Sequence, residues 1–444
     1  MGNSPVICAI GTGYVGMASM IGLAELGWAV RGYDVLADRI ARLKIGITPY
    51  HEAAVEELLQ KHLANDRLTF HHSLEEAVTD VDIIVIAVGT PSRDDGSADL
   101  SALHIVMDEL RAIQFSRPPT IAIRSTVPPG TSDMLAAKVG DQFDIVYAPE
   151  FLREGSAVFD FLNPDRIVVG AENVAAAVRY VRLFESLQSP VVLTSRCNAE
   201  LIKCASNAFL ALKISFANQV ANLCDALGAT SDDVMRGIGY DRRIGAEFLR
   251  PGIGFGGPCF EKDVKSIDHV ATLLGVPSDL FQATLAVNNA QPRRIVGLLQ
   301  AELGDLSGVE IGIWGLAFKA GTDDIRDSLA VRIVQQLSDL GAHTVIYDPM
   351  VHVAPLPPNS RLVQDAHAAA DADALLVLTE WNGFNLVDPM SYASTLRRKV
   401  VVDGRNTLSS DRVVAAGLRY RGVGRESPPA LVDVDALPSL SAAR

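Results

Sequence analysis

Over its first two hundred or so residues the chain alternates short apolar runs with amphipathic stretches of helical period. The apolar runs predict strands at 5–10, 29–34, 82–88, 120–124, 145–147 and 166–170. Several are unbroken Val/Ile runs, the pattern of parallel strands buried on both faces. Strand alternating with helix implies a doubly wound sheet. From 199 to 227 the period is helical, with no Pro or Gly until Gly228. At 1.5 Å per residue that helix spans about 40 Å, long enough to bridge two domains. A second α/β pattern starts near Leu306, with strands at 309–316, 343–347, 374–379 and 399–402 and a helix at 328–340. The expected domains are 1–198, a helical section 199–300 and a C-terminal α/β domain 301–424. The Ser/Pro/Ala-rich tail 425–444 is expected to be disordered.

With 444 residues, 48% of them hydrophobic, the chain can fill several cores. The apolar runs are broken by charges, so no membrane span is expected. The N-terminus enters a strand directly, without a basic region or cleavage site, so no secretory signal is expected. Five cysteines (Cys8, Cys197, Cys204, Cys224, Cys259) lack metal-ligand spacing. A sparse, odd count fits a reducing cytoplasm, with no metal. The net charge of −14 argues against a nucleic-acid partner. It also means that an anionic ligand must be met by local cations and backbone N–H groups.

The first strand runs into Gly11-Thr12-Gly13-Tyr14-Val15-Gly16, followed by a helix. The first glycine permits a tight turn. The second lets backbone approach a pyrophosphate, and the third lets helix and strand pack closely. Asp34 closes the second strand, 23 residues after Gly11. A carboxylate there accepts from a ribose 2′-hydroxyl and repels a 2′-phosphate, which predicts NAD rather than NADP. The fold class is therefore α/β: two Rossmann-like doubly wound domains joined by a helical region with a long central helix. Thr90 (in Gly89-Thr90-Pro91) and Thr126 (in Ser125-Thr126-Val127-Pro128) end strands that face the ligand crevice. Both also read as ordinary turn residues.

Three segments carry candidate chemistry. Ala148-Pro149-Glu150-Phe151-Leu152-Arg153-Glu154 offers carboxylates at i and i+4, which also suit a helix N-terminus. Lys203 and Asn207 share one helix face, and also read as a solvated one. Cys259 follows four glycines (Gly252, Gly254, Gly256, Gly257) and precedes Lys262 and Asp263. A flexible or tightly turned loop beside charges exposes a thiol and can activate it, although most lone cysteines are core residues.

These segments, with GTGYVG, VGTP, STVPPGT, APEFLREGSA, NPDRIVVG, NAELIKCASNAF, GYDRRIG, GFGGPCFEKDV, GLAFKAGTDDIRDS, LTEW and VDGRN in that order, resemble the UDP-glucose/GDP-mannose 6-dehydrogenases from about residue 5 to 425. The resemblance implies a four-electron oxidation of a sugar C6 alcohol to the acid, using two NAD. Cys259 would form a thiohemiacetal and then a thioester. Lys203 and Asn207 would stabilise the oxyanion. Asp263 and Glu154 would activate water, with Thr126 positioning it and Glu150 as an acid–base partner. With the glycine loop and Asp34, cofactor contacts are expected from Tyr14, Val15, Arg39, Thr90, Thr126, Glu154, Lys262 and Arg326. The nucleotide sugar would meet Phe151, Leu152, Lys203, Asn207, Phe248, Leu249, Phe255, Gly256, Phe318, Lys319 and Arg405. Arg243 looks like the arginine that the family supplies from a neighbouring subunit, implying a homodimer or higher homo-oligomer.

The chain departs from the family pattern at Pro258 (usually Ser), Glu261 (usually Pro) and Gln219 (commonly an acid). Pro258 removes an N–H beside the thiol, and Glu261 adds a charge that disfavours a thiolate. The stretches 163–166 and 243–249 look like the UDP-glucose branch, whereas 124–126 and 250–252 look more like the GDP-mannose branch. UDP-glucose is the favoured substrate, with GDP-mannose or another nucleotide hexose as alternatives. A two-electron β-hydroxyacid dehydrogenase also places Lys and Asn on a long helix, but needs neither the cysteine nor a second α/β domain. A silent nucleotide-sugar binding protein would not need Cys259, Lys203, Asn207 and Asp263 together.

Overall fold

The computed structural model describes residues 5–50, 52 and 54–425, and the tail beyond Arg425 lies outside them. The chain forms two compact units. One comprises Met1–Ala208 with Lys262–Ser278, and the other Phe209–Glu261 with Asp279–Arg444.

The first unit contains eight strands: β1 (Val6–Ile10), β2 (Ala29–Tyr33), β3 (Leu68–His71), β4 (Ile83–Ile86), β5 (Thr120–Ile123), β6 (Asp144–Tyr147), β7 (Ile167–Ala171) and β8 (Val191–Thr194). They form one sheet in the order β3-β2-β1-β4-β5-β6-β7-β8. All pairings are parallel except β6 with β7. Side chains alternate between two cores. Ile7, Ala9, Ile83 and Val85 enter one, while Cys8, Ile10, Ile84 and Ile86 enter the other. Helices on both faces therefore explain the unbroken apolar runs.

The second unit contains β9 (Glu310–Trp314), β10 (His343–Tyr347), β11 (Ser360–Leu362), β12 (Ala374–Val377), β13 (Val400–Asp403) and β14 (Arg419–Gly422). They form a wholly parallel sheet in the order β11-β10-β9-β12-β13-β14. The strands absent from the sequence reading (β3, β8, β11, β14) are the four sheet edges; β3, β11 and β14 mix polar with apolar residues, while β8 is apolar but short and largely exposed. An edge strand has one pairing partner and need not carry a doubly buried run.

The central helix covers Arg196–Leu227, three residues more than expected at its start and about 48 Å long at 1.5 Å per residue. Compactness does not separate a middle section. The helix Asp279–Leu303 sends Ile295, Val296 and Leu299 into the core of the second sheet. Arg425 itself pairs with Asp232 and Tyr420. Among the described residues, no helix is long and apolar enough to cross a membrane.

Candidate active site

The strand order of the first unit reverses between β1 and β4, where an open α/β sheet places its ligand crevice. Gly11 leaves β1 at φ +96°, and its N–H donates to the carbonyl of Tyr33. A Cβ on Gly11 would overlap the Ala87 carbonyl after β4, and one on Gly16 would overlap the Gly11 carbonyl. Around Gly13, by contrast, a Cβ would meet nothing within 4 Å. Gly11 and Gly16 are thus required by the protein's own packing. Gly13 leaves open space at the start of the helix Tyr14–Glu25, whose first N–H groups suit a phosphate.

Asp34 Oδ2 accepts the N–H and hydroxyl of Thr12 at 2.8 and 2.7 Å, and Oδ1 accepts the Leu36 N–H at 3.0 Å. Arg39 Nη1 lies 3.3 Å from Oδ2. Burial opposes the charge, but these donors outweigh it and hold the carboxyl below its ordinary range. An ionised carboxylate with lone pairs to spare beside an open glycine turn fits the ribose and pyrophosphate of NAD. Tyr14 stacks on Tyr50 at 3.7 Å, and Val15 accepts from the Ser19 hydroxyl through its carbonyl. Beyond β4 and β5 the two threonine loops are tied together, with Thr90 Oγ1 donating to the Thr126 carbonyl at 2.7 Å.

Lys203 and Asn207 are both buried, not solvated. Lys203 Nζ pairs with Glu150 Oε1 at 3.0 Å, and Glu150 Oε2 accepts the Leu152 N–H at 2.6 Å. Burial alone would raise the Glu150 pKa. The Lys203 ammonium and the Leu152 N–H overcome that and lower it. Asn207 Nδ2 donates to Asp263 Oδ2 at 2.6 Å, and Lys262 Nζ donates to Oδ1 at 2.7 Å. Phe151 carries the Arg166 guanidinium 3.6 Å from its ring centroid and Lys203 Nζ at 5.3 Å. Glu154 is half-buried in the same loop.

In the second unit, the glycine loop is tight rather than loose. Asn218 Oδ1 accepts the Gly252 N–H at 2.7 Å. Asn288, fully buried, accepts from the Phe255 N–H at 2.8 Å and donates to its carbonyl at 2.9 Å. Gly254 sits at φ +104°, where a Cβ would overlap Asn288 Oδ1. The loop ends at Cys259, an exposed thiol immediately before the helix Phe260–Leu273, whose first turn includes Asp263. Glu261 pairs with Arg332 at 3.1 Å, so the acidic departure beside the thiol has its own counter-charge. Phe260 packs near Phe255 and Phe248, with centroids 6.0 and 6.2 Å away. Phe248 has φ +63°, a costly conformation for a bulky residue. Leu249 is buried beside Ala217 and Met235.

Arg405 donates to three carbonyls, those of Leu378, Gly254 and Phe318, at 3.0 to 3.1 Å. It thereby staples the stretch bearing Gly254 and Gly256 to the stretch bearing Phe318 and Lys319. Lys319 Nζ lies 5.7 Å from the Phe318 ring. Arg326 pairs with Asp324, and the highly exposed Arg243 with Asp241. The sequence alone assigns no role to Asn218, Asn288, Arg166, Glu200 or Arg332. A polar residue inside an apolar helical stretch was the available signal for the two asparagines.

In the first unit, a glycine turn beside an ionised carboxylate and a buried Lys/Asn pair make the arrangement of a dinucleotide-dependent dehydrogenase of α/β type. Residues 6–188 match the NAD binding domain of the UDP-glucose/GDP-mannose dehydrogenase family, 197–290 its central domain and 312–410 its UDP binding domain. The chain belongs to that family. It is 41% identical over 435 residues to UDP-glucose 6-dehydrogenase of Rhizobium meliloti, covering 94% of this chain and 99% of that one. It is 39% identical over 437 residues to UDP-glucose 6-dehydrogenase TuaD of Bacillus subtilis, covering 94% and 93%. Among solved structures, a UDP-glucose dehydrogenase from the hyperthermophilic archaeon Pyrobaculum islandicum superposes with a TM-score of 0.89. It is 38% identical, and the match covers 96% of this chain and 98% of that one.

Proposed function

We propose that this chain oxidises the C6 alcohol of UDP-glucose to the carboxylate, consuming two NAD per sugar, with Cys259 holding the carbon between the two oxidations. One observation carries the reading: an exposed thiol closes a rigid glycine loop at the start of a helix whose first turn presents Asp263, and Asp263 is itself bonded to Asn207. A helix N-terminus favours an anionic sulfur.

NAD supplies the hydride acceptor, and the chain's own residues supply the rest. The C6 hydroxyl gives its proton to a base, for which buried, ionised Glu150 is the candidate. Loss of the C6 hydride leaves an aldehyde. A sulfur lone pair of Cys259 then attacks that carbon, and the carbonyl pair moves to oxygen, where the Lys203 ammonium and the Asn207 amide stabilise it. Loss of a second hydride leaves a thioester. Water positioned by Thr126 gives a proton to Asp263 or Glu154 and displaces the thiolate, releasing the acid. The reading requires the thiol, amine and amide to act on one carbon. Pro258 does not interrupt this chemistry, because Cys259 and the residues after it keep their own N–H groups.

UDP-glucose is preferred because the two similar relatives named above and the similar archaeal structure all carry that substrate in their names. The UDP end would meet Lys319, Phe318 and the Arg405-stapled loops. The partner is a second copy of the chain. Phe209, Phe216 and Leu223 recur at seven-residue intervals along the central helix, all half or more exposed, and Arg243 stands out on a nearby loop of the same unit. A working thiol needs a reducing compartment, so the cytoplasm is the proposed location. A panel of nucleotide sugars read by NADH formation tests the substrate. We expect kcat/KM for UDP-glucose to exceed that for GDP-mannose by roughly a hundredfold, a difference of about 2.7 kcal/mol in transition-state binding. A preference for GDP-mannose would overturn the assignment.

A further inference from the structure

We infer that Glu200 is a positioning residue for this reaction, holding the loop that carries Thr126 in register with the stripe of the central helix that carries Lys203 and Asn207. The inference rests on the proposed oxidation for its catalytic consequence, but not for its geometry.

Glu200 is fully buried. Its Oε2 accepts the Gly130 N–H at 2.6 Å, and its Oε1 accepts the Ser132 N–H at 2.7 Å. These donors lie at the start of the helix Thr131–Val139, whose cap residue Gly130 has no side chain to satisfy them. A Ser, Thr or Asp at the cap position would do that locally and without burying a distant carboxylate. Burial opposes the Glu200 charge and pushes its pKa up, so this clamp carries a cost that a local cap avoids.

What the distant carboxylate adds is register. Residues 200, 203 and 207 lie at i, i+3 and i+7, on one face of the helix. Each bonds a different element: Glu200 the loop after β5, Lys203 the Glu150 loop after β6, and Asn207 the Asp263 carboxylate. The far end of the first loop is tied as well, because the Thr126 carbonyl accepts from Thr90. Thr131 Oγ1 donates to the Pro128 carbonyl and stiffens the turn between them. Thr126 is thus held from two sides. Glu200 ties this loop to the helix that presents the amine and the amide through two charged hydrogen bonds, beside the weaker bond from the Cys204 thiol to the Val127 carbonyl at 3.7 Å.

The test uses the full-length enzyme with Glu200→Gln, in which one amide N–H must oppose a backbone N–H. Glu200→Asp, which shortens the reach, stands in if the first variant does not fold. Amide exchange at Gly130 and Ser132 should quicken about tenfold or more while β5 stays protected. With UDP-glucose, kcat should fall roughly tenfold or more with KM changed by less than about threefold. Thr126→Ala in the same background should add clearly less than it does alone, because the two residues act as one unit. Unchanged exchange at the two amides overturns the clamp. Faster exchange with kcat preserved, or fully multiplicative effects of the two substitutions, overturns the positioning role. A wild-type enzyme that forms no NADH with UDP-glucose would sink the proposed oxidation instead, while the exchange result would still judge the clamp.

Discussion

At the scale of residues, the buried carboxylates Glu150 and Asp263 beside the candidate site have counterparts: Glu150 has Lys203, and Asp263 has Lys262 and Asn207. Asp34 was legible because its role is local: a carboxylate at a strand end, a fixed distance after a glycine turn, meeting Thr12 and Leu36. Lys203 and Asn207 were legible as a spacing, but their burial was not, since it depends on loops far away in sequence. Their partners Glu150 and Asp263 lie 53 and 56 residues distant. Glu200 gave no signal of its own, because an acid on a helix ordinarily reads as solvated. The Lys203–Glu150 pair yields a sharp prediction. Lys203→Met leaves a buried carboxylate without its cation and should cost about 3–5 kcal/mol at neutral pH. Adding Glu150→Gln should recover a large part of that loss in denaturant melts. The pH dependence has a definite sign. Glu150 is held below its ordinary value, so the pair contributes stability above a pH of about 4.3, the unfolded value, and loses it as pH falls through the lower folded value. The deficit of Lys203→Met should therefore be largest near neutrality and shrink in acid.

At the scale of elements, the doubly buried strands could be read directly from their apolar runs. The four edge strands could not: three of them mix polar and apolar residues, as an edge with one pairing partner tolerates, and β8 is an apolar run of only four residues. The glycine loop before Cys259 is the more consequential case. Sequence allowed a flexible or a tightly turned loop, and the structure shows the second, with Asn218 and Asn288 fixing its backbone. Gly254→Ala should therefore do more than fill space. It forces a side chain at φ +104° into the Asn288 amide and should cost about 1–3 kcal/mol of local strain. Turnover that depends on Cys259 should drop, while NAD binding, measured by fluorescence or calorimetry, should stay near wild type. Full activity in that variant would show that the loop's tightness does not matter for the thiol.

At the scale of the whole molecule, the two sheets share a plan. Gly11 after β1 and Gly315 after β9 both adopt φ +96°, and each donates its N–H to the carbonyl ending the next strand, Tyr33 or Tyr347. Asp34 and Asp348 follow those strands and accept backbone N–H groups of the respective turn. The second turn, however, has Ala317 and Ala320 where the first has Gly13 and Gly16. The kinship of the halves was legible as two runs of alternating strand and helix, but this residue-level equivalence is visible only in the fold. Assembly belongs at this scale too. Phe216→Glu places a charge within the exposed apolar stripe of the central helix and should convert the proposed dimer to monomers in light scattering, with activity falling in step. A variant that remained dimeric would point to another interface.

The proposed chemistry depends on a carbon held by sulfur through two oxidations. The direct measurement is the NADH formed per UDP-glucose when the sugar nucleotide is limiting and NAD is in excess, for the wild type beside Cys259→Ser. Two NADH per sugar with UDP-glucuronate as product, and stalled steady-state turnover in the serine variant, is the predicted result. One NADH per sugar in the wild type, or unchanged turnover in the variant, would contradict it.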